Sequence, residues 1–352
     1  MSRVQSIAKS DSSEVPLQYI QPIYNRPILP QRDHQSANNN NQNDRDTIPV
    51  IDLSLPKPSA IQQIREACKH WGAFHVLNHG VPTNLLNDTI QAGLHFFEKS
   101  PMEEKLRYSC DPNSPFASQG YGSKMLASSD DSSVLDWRDY FDHHTLPLSR
   151  RNPSRWPHDP PNYRDTISAY SDAISSLATH LLCLISESLD LPPDLIRNSV
   201  GEFFQNITIS YYPPCPQPDL TLGLQSHSDM GAISLLIQDH VPGLQIYRNA
   251  EWFTVHPLPH AILVLLSDQT EIITNGEYQS AEHRVVTNRE SSRISVAAFH
   301  DPSKERMISP AKEMVTVGSP ARYREIRYGE YVSSWYTKGP EGRRNLNALI
   351  LQ

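Results

Sequence analysis

The chain carries only four cysteines in 352 residues, Cys68, Cys110, Cys183 and Cys215, and none forms a CxxC pair or a zinc-like spacing. That excludes a disulfide framework and a cysteine-ligated zinc module, and it points to a reducing compartment with the cytosol as the simplest location. No run approaches the ~20 apolar residues of a membrane span. The first residues, MSRVQSIAKSDSSEVP, have no apolar stretch of the kind a secretory signal needs. The final NALILQ matches neither the peroxisomal nor the ER-retention signal. There is no excess of basic residues either. A formal charge of −8 speaks against a partner bound through a phosphate backbone, so no nucleic acid is expected. No internal repeat is visible.

What is present is a chain of ordinary globular make-up, 38% hydrophobic and 20% charged, long enough to bury a large core. The stretch HQSANNNNQNDRD (34–46) is polar and of low complexity, and cannot bury enough apolar surface to offset its ordering entropy. Residues 1–47 are therefore expected as a flexible polar segment. Structure is expected to start at IPVIDLS, from Ile48. The segment AIQQIREACKHWG places Ile61, Ile64, Ala67, Cys68 and Trp71 on one helical face and stops at Gly72. A strand, AFHVL, follows, then a helix from about Thr83 to Lys99. The longest helix runs through NYRDTISAYSDAISSLATHLLCLISESLDL, where Ile167, Tyr170, Ile174, Leu177, Leu181 and Leu184 step by three and four. This is a core stripe, ended by Pro192.

From Phe203 the texture changes to short alternating strands separated by turns: NITISYY, AISLLIQD, GLQIYR, WFTVHP, AILVLLSD, HRVVTN and RISVAAFH. Many short strands with turn signals between them mean a sandwich or barrel. After Pro302 the chain is irregular, with a closing helix expected around Tyr323 to Tyr336. The expectation is one α+β unit with an α-rich region at 48–200, a β core at 201–302 and a C-terminal segment at 303–352.

Within the β core, His227-Ser228-Asp229 sits where alternate residues of a strand share a face. His283 begins another alternating strand. Two histidines and one carboxylate, with the remaining positions open, make the facial triad of non-haem Fe(II) oxygenases. Arg293 and Ser295 share a strand face further on, and a guanidinium fork with a neighbouring hydroxyl suits a carboxylate. Each residue alone has a bland explanation, such as a turn, an ion pair or a packed tyrosine. Their joint order and spacing favour the metal site.

HSD at 227–229, His283 and RIS at 293–295 resemble the HxD…H and RxS motifs of plant 2-oxoglutarate- and Fe(II)-dependent dioxygenases. The surrounding blocks are similar too: IPVIDLS, ACKHWGAFHVLNHGVP, YYPPCPQPDLTLGL, LLIQDHVPGLQI, ITNGEYQSAEHRVVTN and RISVAAF, together spanning Ile48 to Tyr336. The resemblance is to the enzymes of flavonoid, coumarin, alkaloid and hormone metabolism. It implies a double-stranded β-helix (distorted jelly roll) flanked by helices, with iron held by His227, Asp229 and His283. It also implies 2-oxoglutarate held by Arg293, Ser295 and Tyr212, with Ser210 facing it. The implied reaction converts 2-oxoglutarate and dioxygen to succinate and carbon dioxide while a small substrate is hydroxylated, desaturated, demethylated or cyclised. Ascorbate is the expected activator, and a monomer suffices.

The same resemblance puts Phe299 and Thr208 against the substrate, with Tyr121, Met125 and Tyr140 as further pocket residues, which suits an aromatic or apolar molecule. Three positions depart from the family pattern. Ser210 replaces an asparagine, Leu265 a polar residue, and Ser267 a glycine expected to permit a tight turn. Two alternatives stay open: an ascorbate-using oxidase of the aminocyclopropanecarboxylate oxidase type, which has a similar Arg-x-Ser, and a catalytically quiet small-molecule-binding relative, which Ser210 and Ser267 leave open. His75, His79, His256, His260 and His300 are expected to be structural. His143 and His144 are either on the substrate side or solvent-exposed.

Overall fold

The structure is a computed structural model and describes residues 3–10, 12–27, 47–111, 119–123, 134–339 and 342–351. A short helix, α1 (Val4–Ala8), precedes strand β1 (Val50–Asp52), helix α2 (Lys57–His70), strand β2 (Ala73–Leu77) and helix α3 (Thr83–Leu94). Helix α4 (Met102–Arg107), strands β3 (Gly120–Gly122) and β4 (Asp139–His144), and helices α5 (Tyr163–Ser188) and α6 (Leu195–Val200) complete the first half. The β core follows with β5 (Phe204–Tyr212), β6 (Leu222–His227), β7 (Ile233–Gln238), β8 (Leu244–Arg248), β9 (Glu251–Thr254) and β10 (Ile262–Leu266). It closes with helix α7 (Asp268–Ile273), strands β11 (His283–Val286) and β12 (Arg293–Asp301), and helix α8 (Tyr328–Lys338).

Eight strands form one sheet in the order β1-β2-β10-β7-β12-β5-β4-β3, and four form a second in the order β6-β11-β8-β9. This is the expected α+β jelly roll. The large sheet has two different faces because side chains alternate along each strand. Ile207, Ile209, Ile294, Val296 and Leu235 point outward into a core shared with the helices. The stripe expected on the long helix supplies the other half: Ile167, Tyr170, Ile174, Leu177, Leu181 and Leu184 are all buried there. The intervening residues of the sheet point inward. Tyr212, Leu236, Leu263 and Leu265 meet Leu244, Ile246 and Val285 of the small sheet in a second apolar cluster. Arg293, Ser295, Tyr212 and Ser210, named above as candidate site residues, lie on this inner face.

Gly72, between α2 and β2, has φ +62°, and a Cβ there would collide with the Gln279 carbonyl oxygen. Only glycine meets both demands, so the sequence stop signal coincides with a close backbone approach.

Two expectations are corrected, and one open alternative is narrowed. The N-terminal segment, expected flexible to residue 47, is packed over much of its described length. Val4 is fully buried, the backbone N–H groups of Val4 and Gln5 donate to the Asp139 carboxylate at 2.9 and 3.0 Å, and Lys105 Nζ donates to Gln5 Oε1 at 2.8 Å. Tyr19 packs edge-on against Trp137. The residues around Val4 and Gln5 thus hold their place through buried hydrogen bonds to a distant strand, which local composition does not reveal; the HQSANNNNQNDRD stretch lies outside the described residues. The closing helix starts at Tyr328, five residues later than expected, after a β-bridge between Tyr323 and Ile350. Neither His143 nor His144 is exposed. His143 packs among Phe141 and Trp156 and shares a hydrogen bond with the Tyr163 hydroxyl.

Candidate active site

β6 delivers His227 at its last residue, and antiparallel β11 begins opposite it with His283 in direct register. Asp229 follows two residues after His227, where the chain leaves the strand. The ligand atoms of His227, Asp229 and His283 all lie within 4.8 Å of one another, and no other such group occurs among the described residues. His227 Nε2 is 3.5 Å and His283 Nε2 3.8 Å from Asp229 Oδ1.

The ring orientations are set by backbone. His227 Nδ1 lies 2.8 Å from the Gln225 carbonyl oxygen and His283 Nδ1 2.9 Å from that of Ala281. Each Nδ1–H donates there, which leaves both Nε2 lone pairs pointing at the common centre, the usual arrangement behind a metal-binding histidine. Asp229 Oδ2 is buried without a hydrogen-bond partner. Burial alone would push the Asp229 carboxyl up, but the two imidazoles outweigh it and bring it down to about 2. Burial, helped by His227, pulls His283 down to about 4. A buried anion with an orphaned oxygen, facing two imidazole nitrogens, fits a divalent cation such as Fe(II).

On the inner face beside this triad, Arg293 pairs with Tyr212 and Ser295 with Ser210 across β12 and β5. The Arg293 guanidinium lies over the Tyr212 ring at 5.1 Å, donates to Gln238 Oε1 at 2.6 Å, and keeps a buried Nε without a partner. An arginine with spare donors, next to a serine hydroxyl, fits the distal carboxylate of a dicarboxylate co-substrate.

These matches to known proteins follow from the geometry. The pattern of the 2OG-Fe(II) oxygenase superfamily covers residues 203–302, and that of the non-haem dioxygenase in morphine synthesis N-terminal region covers residues 48–162. The chain belongs to the 2-oxoglutarate- and Fe(II)-dependent oxygenases. It is similar to jasmonate-induced oxygenase 4 of Arabidopsis thaliana, 39% identical over 99% of this chain and 96% of that one. Thebaine 6-O-demethylase of Papaver somniferum is 36% identical, covering 98% of this chain and 95% of that one. The crystal structure of JOX2 in complex with 2OG, Fe and JA superposes with a TM-score of 0.89 at 34% identity, covering all of this chain and 98% of the other. The chain is thus an oxidoreductase that uses Fe(II), 2-oxoglutarate and dioxygen. No described helix is long and apolar enough to cross a membrane.

The inner face continues beyond the clamp. Ser210, Thr208 and Phe299 lie on it, as does Tyr140, opposite Ser210 on β4. Tyr121 does not. Its register with Phe141 turns it to the helix side, where it packs against Phe96 and donates to Asp139 Oδ2 at 3.2 Å. Tyr121 is therefore a core residue of this oxygenase, not a pocket residue. Met125 lies outside the described residues.

The departures also resolve. Ser210 Oγ accepts from Arg138 Nη1 at 3.3 Å, so the shorter side chain is engaged by a guanidinium from the residue just before β4. Ser267 has φ −116° and ψ 171°, extended backbone open to any residue, so no glycine is needed before α7. Leu265 joins the apolar inner cluster.

Several residues were not singled out beforehand. Gln238 holds the Arg293 guanidinium, while Asp142 and Asp301 line the inner face beyond Thr208 and Phe299. Alternation along DWRDYFDHH and RISVAAFHD is the signal that could have found the two aspartates. Gly342 is different: it bridges His227, with its N–H donating to the Ser226 carbonyl at 2.9 Å. Nothing local in the sequence announces that contact.

Proposed function

We propose that this oxygenase oxidises a C–H bond of a small hormone-like or alkaloid-like molecule seated between the metal triad and Phe299, Thr208 and Tyr140. The observation that carries this reading is the shared inner face. β6 and β11 deliver the three ligands, while β5 and β12 put the carboxylate clamp and the pocket residues in one line of register. Relatives that act on such molecules support it, thebaine 6-O-demethylase among them.

In this reading His227, Asp229 and His283 hold Fe(II), which supplies dioxygen activation coupled to decarboxylation of 2-oxoglutarate. Arg293 and Ser295 anchor the distal carboxylate of the co-substrate, Tyr212 packs beneath the guanidinium, and Gln238 fixes its orientation. The backbone carbonyls of Gln225 and Ala281 accept from each Nδ1–H and so orient both rings with Nε2 toward the metal position. Leu236, Leu244, Leu263 and Leu265 wall the site and exclude water, which strengthens every charge interaction inside it. Triad, clamp and walls all come from one chain, which supports action as a monomer. None of the four cysteines is joined in a disulfide, which is in keeping with the cytosol.

Anaerobic addition of Fe(II) and 2-oxoglutarate tests the assignment. The protein should develop a visible charge-transfer absorption near ~500 nm, as expected of open-site iron bearing a chelating keto acid. His227→Ala and Asp229→Ala should abolish that band and succinate formation with the fold retained. Arg293→Ala should weaken 2-oxoglutarate by roughly 30-fold or more, since it removes the charged partner of a buried carboxylate. Undiminished turnover in both ligand variants would refute the assignment.

A further inference from the structure

The carboxylate clamp holds its cation with neutral groups. Arg293 is 2% exposed and makes no ion pair with any described carboxylate. Its Nη2 donates to Gln238 Oε1 at 2.6 Å, and its Nη1 reaches the Ser295 hydroxyl at 3.5 Å. The Nε is buried without a partner. The Tyr212 ring lies 5.1 Å from the guanidinium carbon, and Gly243 crowds the stem, since a Cβ there would come within 2.9 Å of Arg293 Cδ. Ring, glycine and amide together fix where the guanidinium points. Burial pulls Arg293 below its ordinary value, and Tyr212 and Asp239 do not make up the difference. A buried cation in this condition is stabilised by an anion that reaches it.

An acid stands close by in the sequence, yet it is not given to the clamp. Asp239 acts on Arg293 only through its field. Its two oxygens accept from the Val241 N–H at 3.0 Å and the Ile294 N–H at 2.9 Å. Gln238, one residue earlier, closes β7 directly opposite Ser295, which itself pairs with Ser210. The two neighbours thus divide the work: the carboxylate is spent on backbone, and an amide meets the guanidinium. Reach does not require that amide. A glutamate is as long and would orient the guanidinium through a stronger, charge-assisted bond. It would also pair off the charge, so an incoming carboxylate would meet a resident one.

We propose that Gln238 is a positioning residue whose neutrality reserves the Arg293 charge for the co-substrate, so that position 238 sets the preference for a keto acid with a distal carboxylate over one without. This rests on the oxygenase reading above, in which Arg293 and Ser295 take that carboxylate. Gln238 acts through Arg293: its Oε1 orients the guanidinium, and its lack of charge leaves the cation uncompensated until the dicarboxylate arrives. A keto acid with an apolar tail would leave the same cation buried without a counter-charge, and that penalty is the source of the discrimination. A carboxylate at 238 would remove the penalty and, with it, the preference.

The test uses the full chain loaded with Mn(II) and two keto acids, 2-oxoglutarate and 2-oxopentanoate, which carries a methyl group in place of the distal carboxylate. Calorimetric titration of the parent should show 2-oxoglutarate binding at least about tenfold tighter, the scale of hydrogen bonds to a charged group. Gln238→Glu should lose about tenfold or more of the 2-oxoglutarate affinity and keep 2-oxopentanoate within about twofold. Gln238→Met, similar in length and neutral, should retain most of the parent's preference. In turnover with Fe(II), the loss in Gln238→Glu should appear in KM for 2-oxoglutarate and not in kcat. Mn(II) affinity and thermal unfolding check that both variants keep the fold. An unchanged preference in Gln238→Glu, or an equal loss of both keto acids there, would overturn the proposal. So would a collapse of the preference in Gln238→Met, which would assign the effect to the lost hydrogen bond instead of charge. In each of these cases the parent still binds Mn(II) and 2-oxoglutarate, and only the inference on Gln238 falls. If the parent binds neither, the oxygenase reading falls with it.

Discussion

The C-terminal tail is tied to the metal strand, and cutting one tie should have a measurable cost. Arg343 Nη2 lies 2.5 Å from both carboxylate oxygens of Glu271, and its Nη1 donates to the Ser280 carbonyl at 2.8 Å. Glu271 is fully buried at the first turn of α7. Truncating Arg343 to alanine leaves that carboxylate without its cation, a change that typically costs 3–5 kcal/mol, roughly, for a buried pair. The Ser280 N–H and the Tyr323 hydroxyl still donate to Glu271, at 2.6 and 2.5 Å, so a loss near about 3 kcal/mol is expected. Unfolding entropy of ~2.1 cal/mol/K per residue gives about 0.7 kcal/mol/K for a chain of 352 residues. The melting temperature of Arg343→Ala should therefore fall by about 4 °C in differential scanning calorimetry. Arg327→Ala is the control: its ion pair with Glu305 is 3.9 Å long and both side chains are more than half exposed, so its shift should be under about 1 °C. The neighbouring Gly342 pairs with the backbone on both sides of His227, donating to Ser226 O and accepting from Ser228 N–H. Loosening the tail should thus also raise the Fe(II) dissociation rate severalfold. Equal melting shifts for Arg343→Ala and Arg327→Ala would refute the argument.

Two further outcomes follow from the same structure. Asp142 is held up at about 7, against an ordinary carboxylate near ~3.9 in the unfolded chain, so the folded state retains a proton that the unfolded state releases. The stability this proton contributes is present below about pH 4 and is lost as pH rises to about 7. Asp142→Asn removes the dependence, so its stability relative to the parent should rise between pH 4 and pH 8 by up to roughly 4 kcal/mol in chemical denaturation. A constant difference across that range would contradict the burial argument. Ser267→Gly should leave 2-oxoglutarate turnover unchanged and lower stability by roughly 0.5–1 kcal/mol. The backbone there is extended and glycine only adds unfolded-state entropy. A gain in either quantity would show that the turn is strained by the serine.

The candidate metal triad and the candidate carboxylate clamp could be proposed from the sequence because both depend on the shortest-range rule of strand geometry. His227 and Asp229, like Arg293 and Ser295, are separated by two positions, and residues two apart on a strand share a face whatever the rest of the chain does. The long-helix stripe was legible for the same kind of reason, since a period of 3.6 is local. Which strand lies beside which is not local, and each correction came from that. Tyr121 looked like a pocket residue until its register with Phe141 turned it to the helix side. The N-terminal segment looked free until Asp139, more than a hundred residues away, took its backbone N–H groups. Gly342 could be placed against His227 only by the closing of the tail over the small sheet. Asp142 and Asp301, far apart in the chain, share the inner face because β4, β5 and β12 are neighbours and the pleat aims both inward. By itself, then, the sequence determined the chemistry of the metal, since that chemistry is written in residue type and two-residue spacing. The tertiary structure alone decided what surrounds the metal, because charge and burial at a pocket wall depend on strand order, register and which face the pleat presents.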